Sequence, residues 1–246
     1  SVAVISDIHG NRWALEAVLE DIERVGPGAV VNLGDCFYGP LDPAGTAELL
    51  AGLDAPTVLG NEDAVLLEPA GSHTGCPAAE FTRERLLEGT LDWLRGLPTT
   101  LVVFDSVLAF HGTPERLDEY LLHHVAERGV LPRGTGELIE RLMREQTPVV
   151  LCGHSHKQAS LRLPDGRLIV NPGSVGCPAF ADDAPFPHVM QEGTPHARYS
   201  IISEDGGEWR VRELEIEYDW DAAAEAAIAN GSPSWAEWLR TGCATL

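Results

Sequence analysis

Short apolar runs alternate with amphipathic stretches from the first residues to about Val175. Val2–Ile5 reads as a strand, and Leu15, Val18, Leu19 and Ile22 follow at the i, i+3, i+4, i+7 spacing that lines one face of a helix. Residues 29–33 predict the next strand, the turn-rich residues 38–43 a loop, 46–50 a short helix and 56–59 a third strand. Residues 81–94 predict one helix closed by Gly96 and Pro98. Residues 101–104 and 107–110 predict a hairpin, 117–128 and 137–144 two helices, and 148–152 another buried strand. The remainder turns β-like at 161–163, 168–170, 199–203 and 209–217, and helices close the chain near 221–229 and 234–240. Residues 177–197, rich in Pro, Asp and Ala, form a long excursion, and so long a loop inside a compact domain usually has a function. No repeat, low-complexity tract or composition shift interrupts the pattern, so residues 1–246 are expected to form a single domain.

Five of the apolar runs end in polar, metal-capable residues: Asp7 and His9, Gly34-Asp35, Gly60-Asn61, His111-Gly112, and Gly153-His154-Ser155-His156. In open α/β sheets the carboxyl ends of strands form the ligand crevice, so side chains far apart in sequence can converge there. The glycines beside four of the clusters let the backbone turn sharply and approach closely. Any one cluster is commonplace; five in order at strand ends are not. Asp7, His9, Asp35, Asn61, His111, His154 and His156 offer oxygen and nitrogen donors and no sulfur. That set suits Mn, Fe, Ni or Zn at a hydrolytic site better than a thiolate-held structural ion. It also exceeds what one ion takes with a position left open. Two ions sharing one carboxylate would use every donor, and a pair about 3.5–4 Å apart can activate a bridging water.

The charge balance sharpens this picture. Thirty-eight acidic residues against 17 basic ones give a net charge of -21, a field that repels polyanions and argues against broad nucleic-acid binding. Positive charge for a bound phosphate is then expected from metal ions. The cysteines at 36, 76, 152, 177 and 243 are odd in number and lack CxxC spacing, which suggests reduced thiols in a cytoplasmic protein. No apolar run approaches the roughly 18 residues of a membrane helix, and the first residues lack the basic flank of a signal peptide.

The ordered clusters resemble the calcineurin-like metallophosphoesterase family. Ser6-Asp7-Ile8-His9-Gly10-Asn11, Tyr38-Gly39-Pro40, His111-Gly112-Thr113-Pro114 and Asn171-Pro172-Gly173-Ser174-Val175-Gly176 are similar to motifs of its compact bacterial phosphodiesterase branch. The resemblance runs from Asp7 to about Gly176 and implies a four-layer αββα sandwich, two mixed β-sheets flanked by helices. It implies one metal on Asp7, His9, Asp35 and His156, and a second, with Asp35 bridging, on Asn61, His111 and His154; manganese is the favoured ion. Most members follow the ligand Asn with a His that protonates the leaving group, whereas this chain reads Gly60-Asn61-Glu62-Asp63. Glu62 and Asp63 therefore join Asp35 and Asn61 as candidate catalytic residues. Asn11 and Arg12, at a helix start, are candidates for phosphate contact, and His73 for substrate contact. His123 and His124 are expected on a helix, and His188 and His196 would reach the cleft only if residues 177–197 fold over it. The implied activity is a dimetal phosphodiesterase, with a hydroxide bridging the ions as nucleophile, acting on a small phosphoester. A phosphomonoesterase, a protein or dinucleoside-polyphosphate phosphatase and a non-catalytic metal-binding scaffold are the alternatives.

Overall fold

The structure is a computed structural model that describes residues 1–69 and 77–246; His73 and Cys76 lie outside the described residues. In chain order the elements are β1 (Val2–Ile5), α1 (Arg12–Val25), β2 (Ala29–Asn32), α2 (Pro43–Ala51), α3 (Asn61–Leu67), α4 (Pro77–Arg85), α5 (Thr90–Arg95), β3 (Thr100–Val103), β4 (Val107–Phe110), β5 (His123–Ala126) and β6 (Gly129–Pro132). They continue with α6 (Thr135–Arg141), β7 (Val149–Leu151), β8 (Ala159–Arg162), β9 (Leu168–Asn171), β10 (Ala179–Asp182), β11 (His188–Gln191), β12 (Ala197–Asp205), β13 (Glu208–Ile216), α7 (Trp220–Ala229) and α8 (Pro233–Thr241).

Two mixed sheets dominate, ordered β13-β12-β1-β2 and β3-β4-β7-β9-β8. Alternation along fully buried strands builds the layers. Val2 and Val4 of β1, with Val31, meet Val107, Ala109, Val149, Leu151 and Val170 of the second sheet in one cluster between the sheets. The intervening Ala3 and Ile5 face outward onto Ala14, Leu15, Val18 and Ile22 of α1. On the far side Leu108, Phe110, Val150 and Ile169 meet Leu138 of α6. The helices thus cover the outer faces of the paired sheets. α1 itself begins where the Asn11 side chain accepts from the Ala14 amide and ends at Gly26, in the left-handed region at φ 69°.

This arrangement aligns the site. β1 and β2 run parallel, as do β4 and β7, so their carboxyl ends lie along one edge of each sheet. The loops leaving those ends carry four of the five clusters, and Gly60-Asn61 opens α3 just after the Thr57 bridge to Asn32 at the end of β2.

Four sequence expectations are corrected. Residues 81–94 do not form one helix: α4 ends at Arg85, and Gly89, at φ 84°, turns the chain into a separate α5. Residues 117–128 are not helical; His123 and His124 lie on β5, folded back onto β6 where Gly129 takes φ 108°. Residues 56–59 contribute one parallel bridge, between Thr57 and Asn32, rather than a strand. The excursion at 177–197 contains an antiparallel hairpin, β10 with β11.

Candidate metal centre

The structure brings all seven predicted donors together. Asp7, His9 and His156 present atoms within 4.8 Å of one another, and so do Asp35, His111 and His154. Asp35 also falls in a third such group with His9 and Glu62, which sets its carboxylate between the two. His9 Nε2 and His156 Nε2 are 3.0 Å apart. His111 Nε2 lies 3.1 Å from Asp35 Oδ2 and 2.9 Å from Asn61 Oδ1.

The chain aims these atoms. His9 Nδ1 lies 3.0 Å from the Tyr38 carbonyl, His111 Nδ1 2.7 Å from that of Leu33 and His156 Nδ1 2.6 Å from that of Cys177. A proton on each Nδ1 donated to its carbonyl leaves Nε2 as the ligand atom, the outer-shell arrangement that fixes metal-binding imidazoles. Asp35 Oδ1 accepts from the Glu62 and Asp63 amides at 2.9 and 3.3 Å. Asp7 Oδ2 accepts from the His154 amide at 3.2 Å, while Asp7 Oδ1 is buried and, among the described residues, has no hydrogen-bond donor in good geometry. It lies 3.3, 3.8 and 3.9 Å from the Nε2 atoms of His156, His111 and His9. A buried carboxylate oxygen without a donor costs several kcal/mol (about 1–3 even for a neutral group) unless a cation meets it. The donor set therefore fits metal ions.

Close approach and strain build the cluster. A Cβ on Gly60 would overlap Asp35 Oδ1, and one on Gly153 would overlap Ser6 Oγ. Neither glycine has positive φ; the sharp turns fall on the donors themselves, with Asp7, His9, Asp35, His154 and His156 at φ 52–64°. The Asn171–Gly176 motif acts as a buttress. Ser174 Oγ donates to the Asp7 carbonyl at 2.7 Å, and Asn171 Nδ2 donates to the Gly153 carbonyl at 2.8 Å.

Burial and the charged neighbours act against each other on these groups. Burial opposes charge on His9, but the Glu62 hydrogen bond and charge, then Asp35 and Asp7, outweigh it and push the pKa up to about 9. Burial likewise opposes His111, yet Asp35 and Asp7 raise it to about 10. Burial would raise the Asp7 and Asp35 carboxyls, but the surrounding imidazoles hold both below their ordinary value. Burial and the His111 charge lower His154 to about 4.

The other candidates have different surroundings. Glu62 Oε2 lies 3.1 Å from His9 Nδ1; burial pushes this carboxyl upward against the pull of His9. Asp63 accepts from the Cys36 and Gly60 amides at 3.0 and 3.3 Å, so it shapes the turn rather than facing the cavity. The Arg12 guanidinium donates to Glu16 and Asp42 at 3.0 and 3.4 Å. Asn11 caps α1 and donates to the Gly176 carbonyl at 2.9 Å. His188 meets Tyr120 Oη at 3.0 Å, and the Tyr120 ring packs 4.7 Å from His154. His196 instead packs on Trp220.

A cavity of about 320 Å³ opens onto the donors, walled in part by Phe180, Ala181 and Asp182 of the excursion and by Trp235 and Trp238 of α8. The sequence reading missed both indoles, because they lie in the last quarter of the chain, which carries no motif.

Two mixed sheets with histidines and carboxylates gathered at their carboxyl edge define the class of metallophosphoesterase-like proteins. The calcineurin-like phosphoesterase superfamily domain matches residues 1–190, and the chain belongs to that family. An uncharacterised protein of Methanocaldococcus jannaschii is 28% identical over 257 residues, covering 95% of this chain and 94% of its own. A solved metallophosphoesterase from Sphaerobacter thermophilus superposes with a TM-score of 0.76 at 26% identity, covering 98% of this chain and 99% of that one. A hypothetical protein from Pyrococcus horikoshii shares the fold at a TM-score of 0.72 and 20% identity, with 99% of each chain covered.

Proposed function

We propose that the protein is a two-metal phosphodiesterase of small phosphoesters. The observation that carries this reading is the buried Asp7 Oδ1, which lacks a donor while three Nε2 atoms face it. Asp7, His9, His156 and Asp35 would hold one ion, and Asp35, Asn61, His111 and His154 the other. Divalent ions bound there supply water activation and neutralise charge on the phosphoryl oxygens; manganese is the first candidate.

The chain's own residues do the rest. The Tyr38, Leu33 and Cys177 carbonyls keep three imidazoles in one tautomer. The Glu62 and Asp63 amides, at the start of α3, orient the Asp35 carboxylate. Phe180 and the two indoles narrow water's access to the cavity. Among the described residues, no Lys or Arg lines that cavity. A dianionic monoester would find no guanidinium or ammonium there for its extra charge, which favours the monoanionic diester over the monoesterase alternative. The thiols of Cys36, Cys152, Cys177 and Cys243 are free, which supports a reducing, cytoplasmic setting.

Hydrolysis of bis-p-nitrophenyl phosphate tests the activity. Chelator-treated protein should lose it and added manganese restore it, with p-nitrophenyl phosphate turned over more slowly. Undiminished hydrolysis by rigorously metal-free protein would overturn the reading.

A further inference from the structure

The cavity in front of the candidate metal centre has two unlike sides. One carries the donors; the other is aromatic, with Trp235, Trp238 and Phe180. Trp235 stands edge-on to His9 at 5.9 Å, and Trp238 is tilted 44° against Trp235 at 5.6 Å. Phe180 meets His156 edge-to-face at 4.6 Å. All three rings thus sit beside, or one ring away from, candidate ligands.

The wall is also held in place. α8 is anchored by Ala236 and Leu239, which are buried against Leu41, Ala223, Ala224 and Ala227, and Trp235 packs against the same cluster. Trp235 and Trp238, three residues apart, are neighbours on the helix surface; both line the cavity and stay only half-buried. The end of α8 is tied to the chain leaving the β10–β11 hairpin, because the Gly193 amide donates to the Gly242 carbonyl at 2.8 Å and the Ala244 amide to Gln191 Oε1 at 3.1 Å. That hairpin carries Phe180. A Cβ on Gly39 would come within 3.1 Å of the Trp235 ring, so the loop after β2, which carries Asp35, gives the indole its space. Two partly wet indoles on a fixed helix, facing a phosphoryl-sized centre, form a stacking surface for a flat ring.

We infer that Trp235, Trp238 and Phe180 form a subsite for a flat aromatic group, a nucleobase or an aryl ring, on the ester arm of the substrate. The inference rests on the phosphoesterase reading and narrows it to esters with an aromatic arm.

Calorimetric titration of the manganese-loaded protein with adenosine 5′-monophosphate, phenyl phosphate and ribose 5-phosphate tests it, since these ligands share a phosphate and differ in the ring. Stacking of one base on an aromatic side chain is worth about 5- to 150-fold in affinity. Adenosine 5′-monophosphate should therefore bind at least about fivefold tighter than ribose 5-phosphate. Trp235→Leu and Trp238→Leu, which keep apolar volume, should cut that preference without changing ribose 5-phosphate affinity or metal content, and Trp238→Phe should retain most of it. Phenyl phosphate separates the two sources: binding as tight as the nucleotide marks a wall for any aryl ring, and weaker binding marks one for a nucleobase. Equal affinities for the nucleotide and ribose 5-phosphate, or an undiminished preference in both Leu variants, would overturn the subsite. If diesters are still hydrolysed in that case, the phosphodiesterase reading survives; if no phosphoester is hydrolysed, both readings fall.

Discussion

Left-handed backbone costs an ordinary side chain about 1–2 kcal/mol, yet five of the candidate ligands adopt it. Sequence patterns suggested that neighbouring glycines would make these turns. Gly34, at φ 93°, does so, whereas Gly60 and Gly153 admit Asp35 and Ser6 instead, and Asp7, His9, Asp35, His154 and His156 carry left-handed strain of their own. Residue identity was legible in the ordered clusters; backbone conformation was not, because it depends on hydrogen bonds between distant loops such as Asp7 N to Gly34 O. The raised His9 and His111 values have a definite sign. Without metal, the stabilisation from these two cations is complete below the unfolded value near 6.5 and is lost as pH rises through about 9 and 10. Metal binding must displace the same protons. Calorimetry at pH 7.5 in buffers of different ionisation enthalpy should register release of about two protons per chain on loading, and no release would contradict the assignment of these imidazoles. Glu62 carries a separate expectation. Its carboxyl engages His9 rather than standing free to protonate a leaving group. Aryl esters, which depart readily as anions, should be hydrolysed far faster than alkyl esters. Glu62→His should narrow that gap, since general-acid help is typically worth about 10²–10⁴-fold. A kcat/KM series in which wild type is indifferent to leaving-group pKa would assign proton delivery to another group.

At the scale of elements, the excursion at residues 177–197 acts through one hairpin. β10 and β11 pair from Ala179 with Gln191 to Asp182 with His188, and Phe180 is thereby held against His156. Replacing residues 183–187 with a two-residue turn should raise KM for diesters severalfold while leaving metal content unchanged; identical kinetics across several substrates would reduce the hairpin to surface decoration. Strands buried on both faces, such as β4 and β7, were legible as continuous apolar runs. β5 and β10 were not, being short and only partly covered. The 117–128 segment looked helical by spacing, but Gly129 at φ 108° lets the chain reverse into β6. α8 was legible as a helix by its alternating burial, with Ala236 and Leu239 inward. Its place beside the centre was invisible, since only tertiary packing carries the chain's last helix back to the loop after β1.

For the whole molecule, the architecture explains why donors spread from Asp7 to His156 can act together. Two sheets share one apolar interface, and their parallel strands end at the same edge. Each sheet contributes part of the cluster: β1 and β2 lead to Asp7, His9 and Asp35, while β4 and β7 lead to His111, His154 and His156. With a net charge of -21, the proposed function leaves the burden of holding phosphate to bound cations. The central claim is a pair of ions sharing the Asp35 carboxylate. Elemental analysis of the dialysed, manganese-loaded protein tests it directly through wild type, Asp35→Ala and Asn61→Ala. Wild type should hold two ions per chain, Asn61→Ala about one, and Asp35→Ala close to none. One ion in wild type, or equal losses in the two variants, would contradict it.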